Sequence, residues 1–458
     1  MKSIFKAQLK ILKQSSTLIP AFLCCTLLSA CADSVSESEP VDKNTSQLIQ
    51  ISDNAFSGSS VNVLSGVKQT LYTHQNTQYT GFYNKDAYLV IAKRKLDSQN
   101  WQLHTTEFTG NVNDAHNHIS LVVDGEGYLH VSWDHHNNPL NYAKSKQPGS
   151  LKLIRSNMLG QQEKSVTYPQ FYALSNGDIL FQYRDGGSGR GTLVMNQYDV
   201  KQQKWQRLHT ALIDGEGQRS AYWDMTVDQN DVLHLAWIWR ETPDVATNHD
   251  LMYAQSVDQG KTWQTISGQT YQLPIRLNNS DVIKKIDQNH KLMNPPFITA
   301  DESSLPYITS YWADSPTQAP AFNVVRFNGK QWQTFKGPES KQNFSLSGIG
   351  TKNPPWSRAV LLIDNRDKQD RIYLVHRDDP AKDIKIHTID PLQPNKWQTE
   401  TLYSQSFGAW EPSIDPIQWQ RHHTLNMLVQ DVVQLDGNDN QAADVAAKPI
   451  SVLSWRVQ

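Results

Sequence analysis

Cysteine is almost missing from this chain of 458 residues: there are three, Cys24, Cys25 and Cys31, all near the start. Everything downstream therefore lacks the means for a disulfide, a thiolate metal site or a cysteine nucleophile. An excess of one charge is lacking too. The formal balance of −2 argues against nucleic acid as a partner, although a neutral protein can still carry a local basic cleft for a polyanion. After the leader no apolar run is long enough to cross a bilayer. Helical periodicity is scarce beyond residue 48, and neither a Gly-x-Ser-x-Gly elbow nor a glycine-rich phosphate loop stands out.

The leader itself is distinctive. Lys2, Lys6, Lys10 and Lys13 precede an apolar run from Leu18 to Ala30, which ends in Leu28-Ser29-Ala30-Cys31. A basic start, a short apolar stretch and small residues at its end describe a secretory signal. Those last four residues resemble the bacterial lipobox, which implies a lipid on Cys31. Ala32 rather than Asp follows, so the inner-membrane retention signal known from enteric bacteria is absent. The expected organisation is a lipoprotein signal over 1–31, a polar, acidic, disordered tether over 32–47, and one domain over 48–458. The expected location is the outer membrane or cell surface, held through the N-terminal lipid, with release to the medium as a further outcome.

Beyond the tether, polar turns lead repeatedly into strands rich in β-branched and aromatic residues. Examples are Asp124–Trp133, Ser175–Tyr183, Asp228–Trp237 and Asp367–His376. A second marker is a Trp-Gln pair at Trp101, Trp205, Trp263, Trp332 and Trp397, with gaps of 104, 58, 69 and 65 residues. The first gap is close to two units. Ser256-Val-Asp258-Gln-Gly260-Lys-Thr262-Trp263 matches the Asp-box pattern, in which Ser and Asp cap a tight turn and Trp packs between sheets. Units of roughly sixty residues repeated radially make an all-β propeller, with seven blades expected and six as the alternative. Loops at one end of such a ring converge, so functional residues from different blades meet there.

Five of the fifteen histidines fall between Asp114 and Leu140. His116 and His136 flank a hairpin with the turn Asp124-Gly-Glu-Gly127, which brings both imidazoles to one end of two adjacent strands. Imidazole moves protons near neutral pH, so the pair suggests proton-transfer chemistry. A zinc site built from His116, His118, His135 and His136, or surface histidines, are the alternatives. Two further units pair a tyrosine with an arginine after the next strand: Tyr168 with Arg184, and Tyr222 with Arg240. Aromatic surface plus guanidinium suits a sugar that bears a carboxylate. Ion pairs of Arg184 with Asp185 and of Arg240 with Glu241 are the structural alternatives. His249-Asp250 stabilises a loop, holds a metal or meets substrate. His130 and His234 read as packing residues. A glycosidase needs two carboxylates at a set separation, and nothing ties Asp114, Asp134 and Glu241 into such a pair.

The Asp box, the repeat, Asp114-Ala-His116-Asn117 and His136-Asn137-x-Pro139-Leu140 together resemble the BNR-repeat propellers. More narrowly they resemble the short, seven-bladed ulvan lyases of polysaccharide lyase families 25 and 24, over essentially the whole mature chain. That resemblance implies β-elimination on ulvan, an anionic algal polysaccharide of rhamnose-3-sulfate and uronate. It implies catalytic roles for His116, His136, Tyr168, Arg184 and Tyr222. Arg240, Asn117, Asn137 and His249 are expected to bind substrate. No cofactor is required for the chemistry. A structural metal stays unassigned, and the cysteine-ligated zinc of some relatives cannot form here. A monomer is expected. The rival readings are a glycoside hydrolase such as a rhamnosidase on the same propeller, and a surface sugar-binding lipoprotein without catalysis.

Overall fold

Short apolar runs separated by turns pair with their neighbours in sequence, and the result is seven antiparallel sheets. A computed structural model of the chain describes residues 46–64, 70–366, 370–394 and 396–457. The described residues form one compact unit. Blade 1 comprises Leu71–His74, Thr77–Tyr83, Tyr88–Lys95 and Gln102–Thr109. Blade 2 holds Ile119–Val123, Leu129–Trp133, Tyr142–Ser145 and Leu153–Arg155. Blade 3 holds Val166–Ala173, Ile179–Asp185, Thr192–Asp199 and Lys204–Asp214. Blade 4 holds Ser220–Val227, Leu233–Arg240, Asn248–Ser256 and Val282–Lys284. Blade 5 holds Phe297–Ala300, Pro306–Trp312, Ala321–Phe327 and Trp332–Glu339. Blade 6 holds Val360–Asp364, Arg371–Asp378, Asp383–Ile389 and Gln398–Tyr403.

Blade 7 closes the ring with both ends of the fold. Thr424–Gln430 pairs with Lys448–Arg456, which pairs with the N-terminal strand Gln47–Ala55. Ile414 bridges Met427 on the free inner edge. The first strands of neighbouring blades touch one another and line the axis. The sheets bury their faces against each other in a core of aliphatic and aromatic side chains between blades.

The repeat has a local physical basis. Asp124, Asp228 and Asp301 each accept two backbone N–H groups, from the second and fourth residues downstream, and so close the first turn of blades 2, 4 and 5. Two of these turn aspartates, Asp124 and Asp228, meet His130 and His234, which are fully buried and hydrogen-bonded to Tyr142 and Tyr253 at their other nitrogen. Both are packing residues, as the sequence suggests. The Asp box also takes its expected form: Asp258 accepts the Thr262 N–H and hydroxyl, Ser256 accepts the Gly260 N–H, and Trp263 is buried. The Trp-Gln markers open or immediately precede outer strands in blades 1, 3, 5 and 6, and Trp263 follows the third strand of blade 4. The long first gap arises because the outer strand of blade 2, Leu153–Arg155, has no tryptophan.

A short helix, Pro416–His422, lies across the far end of the axis. Asp415 caps it and also accepts from Thr73 and Gln78 of blade 1. Trp419 donates to the Ile363 carbonyl of blade 6, and Gln420 to the Val227 carbonyl of blade 4. None of the described helices is long and apolar enough to cross a membrane. The signal, Cys31 and the tether up to residue 45 lie outside the described residues, as do Asp367 to Gln369 of one repeat. Gln47, assigned to the tether from sequence, is instead the first residue of the closing strand.

Candidate active site

The hairpin of blade 2 has the register that joins the histidines. Ile119 pairs with Trp133, so His116 and His136 stand three residues beyond the same end. Their rings stack with centroids 4.2 Å apart. Between them Asp114 is buried, with Oδ1 2.7 Å from Nδ1 of His116 and Oδ2 2.5 Å from Nδ1 of His136. Oδ1 also accepts the His116 backbone N–H at 2.9 Å, a tight local turn that rigidifies the Asp-x-His segment. Burial opposes a charge on His116, but the hydrogen bond and charge of Asp114 outweigh it and raise the imidazole above its usual 6.5. His136 opens a short strand, His136–Asn138, that crosses to blade 3 and pairs with the inner edge of Val166–Ala173. His135 points the other way: it is fully buried and its Nε2 accepts the Asn141 N–H. His136 is therefore the second histidine of the pair.

Tyr168 comes from a bulge. The register of Val166–Ala173 shifts between Thr167 and Gln170, and Tyr168 sits at φ 55°. A bulky residue seldom adopts that left-handed conformation, and such strain gathers at functional sites. It carries the ring to 5.9 Å from His116 and 6.0 Å from Tyr222. Arg184, opposite Thr167 in the ladder and 1% exposed, places its guanidinium 4.9 Å from the Tyr168 ring. It does not pair with Asp185; its Nε donates to the Gly186 carbonyl. Burial, with Tyr222 beside it, raises the Tyr168 phenol well above its usual value despite three arginines nearby.

Tyr222 behaves oppositely. Its hydroxyl accepts from Nη1 of Arg240 at 3.1 Å and of Arg184 at 3.4 Å, and is hydrogen-bonded to the Ser188 hydroxyl at 2.8 Å. Burial resists ionisation, but Arg240, Arg184 and Ser188 overcome it and bring the phenol down to about 8. Arg240 is fixed by Asn248 and Asn294, and lies 4.0 Å from the Tyr222 ring. Glu241 turns away to Arg219.

His116, His136, Tyr168, Arg184, Tyr222 and Arg240 thus converge on one cleft of about 1130 Å³, counting its open mouth. Three residues expected to bind substrate do not line it. The Asn117 side chain is buried and donates to the Asn111 carbonyl. Asn137 is exposed at φ 64°, its N–H tied to Thr167. His249 is locked between Glu241 and Asp250, which makes it a loop-stabilising residue.

Sequence reasoning missed the opposite wall. The loop after blade 5 crosses the mouth as a strap. Its Gly348 N–H donates to Asp244 and its Thr351 N–H to Asp439, while Lys352 pairs with Asp436. It brings Ile349, Thr351 and Lys352 to the cleft, alongside Arg358, which pairs with Glu411. No repeated motif marks these residues. Asp439 is the only carboxylate among the described residues lining the cleft.

Asp114, His116, His136 and Asp439 each offer a donor atom within 4.8 Å of the others. Donors bound to one tetrahedral zinc at about 2.1 Å stand about 3.4 Å apart. The 2.7 and 2.5 Å separations at Asp114 are hydrogen-bond distances, so this donor set does not fit a metal as it stands. The four-histidine zinc site fails too, because His135 faces Asn141.

Comparison with known proteins gives three findings. The sequence pattern of the BNR repeat-containing family matches residues 77–339. The chain is similar to the ulvan lyase, short isoform, of Alteromonas sp. (strain LOR), at 44% identity over 44 residues, 10% of this chain and 8% of that one. The chain therefore spans under a tenth of that relative's length. In fold it is similar to the crystal structure of polysaccharide lyase Uly1, with TM-score 0.65, 14% identity and coverage of 90% and 98%. It is also similar to a PL25 ulvan lyase, solved bound to -[GlcA(1-4)Rha3S]-, with TM-score 0.55, 13% identity and coverage of 78% and 96%.

Proposed function

The chain belongs to the BNR repeat-containing family, and from that premise we propose that it is a polysaccharide lyase that cleaves ulvan by β-elimination at the uronate. One observation carries this reading: three imidazoles (His116, His118 and His136), two phenols and two guanidiniums from blades 2, 3 and 4 line a single cleft. The fold likeness to two lyases, one solved with a glucuronate–rhamnose sulfate ligand, and the short match to an ulvan lyase support it. A cleft lined by one carboxylate does not suit a hydrolase, which needs two.

Elimination makes three demands. The C5 proton of a uronate is weakly acidic, so the adjacent carboxylate must be neutralised to stabilise the enolate-like intermediate. Arg184 meets that demand, with Arg240 beside it. His116 then removes the C5 proton, and its electron pair becomes the C4–C5 double bond as the C4–O4 bond breaks. Tyr168, whose proton is held tightly, protonates the departing O4. His136 contacts the carboxylate from the other side. Export on the leader, a lipid on Cys31 and a monomeric state belong to the same proposal.

The test is the ultraviolet spectrum of ulvan after incubation with the protein. Growth of the unsaturated-uronate absorption is expected. Shortened chains without it would mean hydrolysis, and binding without shortening would mean a sugar-binding lipoprotein. Each proton transfer contributes on the order of 10²–10⁴ in rate. His116→Ala is therefore expected to lose at least about a hundredfold in turnover while retaining its thermal midpoint. Ordinary turnover by that variant would remove His116 from the mechanism.

A further inference from the structure

Asp114 lies beneath the two imidazoles, its side chain 8% exposed, and is absent from the cleft wall. Both of its oxygens are committed, one to each Nδ1. Burial favours its neutral form, yet the hydrogen bonds from His116 and His136 hold it well below the ordinary carboxylate range. An ionised carboxylate only accepts, and a neutral imidazole has one N–H and one lone pair. An acceptor held at Nδ1 therefore forces the lone pair onto Nε2. We propose that Asp114 is a positioning residue that sets both histidines in the Nδ1–H tautomer and so turns two Nε2 lone pairs toward one substrate. The kinetic consequence rests on the lyase reading; the tautomers do not.

A second consequence concerns charge. One carboxylate balances one imidazolium, and the rings are stacked at 4.2 Å. With one carboxylate for two rings, a second imidazolium would stand unbalanced beside the first.

Asp114→Asn is the discriminating variant. A carboxamide keeps one acceptor oxygen and replaces the other with an NH₂ donor. One ring retains its tautomer, while the other must present a lone pair to the amide and shift its proton to Nε2. Long-range proton–nitrogen spectra of histidine-labelled protein, recorded on the alkaline side of the His116 titration, read this directly. Signals are assigned with His116→Gln and His136→Gln. In the native protein both rings are expected with protonated Nδ1 and bare Nε2, and in Asp114→Asn only one.

Turnover on ulvan is expected to fall on the order of a hundredfold or more, with KM changed only a few-fold. The acid limb of the kcat profile is expected to move to lower pH, because the carboxylate that raises His116 is gone. An Nε2–H tautomer on either ring of the native protein overturns the proposal even if the variant does not fold. So does Asp114→Asn with native turnover and an unmoved acid limb. Should native protein give no unsaturated product, the lyase reading falls while the spectra still decide the tautomers.

Discussion

With Arg240 against its ring and Arg184 and Ser188 at its hydroxyl, Tyr222 ionises near pH 8 rather than 10. Below that pH both guanidiniums keep their charge for a substrate carboxylate. Above it the phenolate competes for them. The expected result is a fall in kcat/KM on the alkaline side of about pH 8, and Tyr222→Phe is expected to remove that limb. Initial rates across the pH range check this, and an unmoved limb in the variant assigns it elsewhere. On the acid side His116 must be neutral to act as a base, and its raised value puts that limb above 6.5. The Tyr222–Arg240 pairing was legible because the regular ladder sets Arg240 opposite Ser220, two residues from Tyr222. Asn117, Asn137 and His249 do not line the cleft, because the local backbone or a neighbouring carboxylate claims their polar groups, which a sequence motif does not reveal.

Among the elements, the hairpin of blade 2 followed from strand-like runs flanking a glycine turn, and its register set both histidines at one end. Two other elements did not announce themselves. The strand His136–Asn138 is too short to show a period, and its partner lies in the next blade. The Tyr168 bulge runs against local preference, so only tertiary context selects it. The strap was equally hidden. Gly350 takes φ 77° there, and a Cβ would stand 2.7 Å from the Gly437 carbonyl oxygen. Gly350→Ala therefore strains the backbone and collides with a rigid neighbour. The strap is expected to lift, raising KM several-fold with the thermal midpoint little changed. Steady-state kinetics beside a melting curve check this, and an unaltered KM would show that the strap takes no part in binding.

At the scale of the whole molecule, several histidines serve as neutral core residues. Burial first, then neighbouring positive groups, bring His118 to about 3 and His387 to about 4; burial brings His135 to about 4. His130 and His376 are lowered as well. A base depressed in the fold binds protons more readily once unfolded, so stability falls as pH drops below the unfolded value near 6.5. Shifts of this size represent on the order of 3 kcal/mol each. Urea unfolding at about pH 7 and about pH 4.5 is expected to show a loss of several kcal/mol. Equal stability at the two would mean that these rings take protons within the fold.

The helix Pro416–His422, tied to blades 1, 4 and 6, bars one mouth of the ring. The toroid is thus a bowl, not a pipe. A polymer cannot be threaded through it; a chain must be laid over the rim, and both halves of a severed chain must lift away from the face by which it arrived.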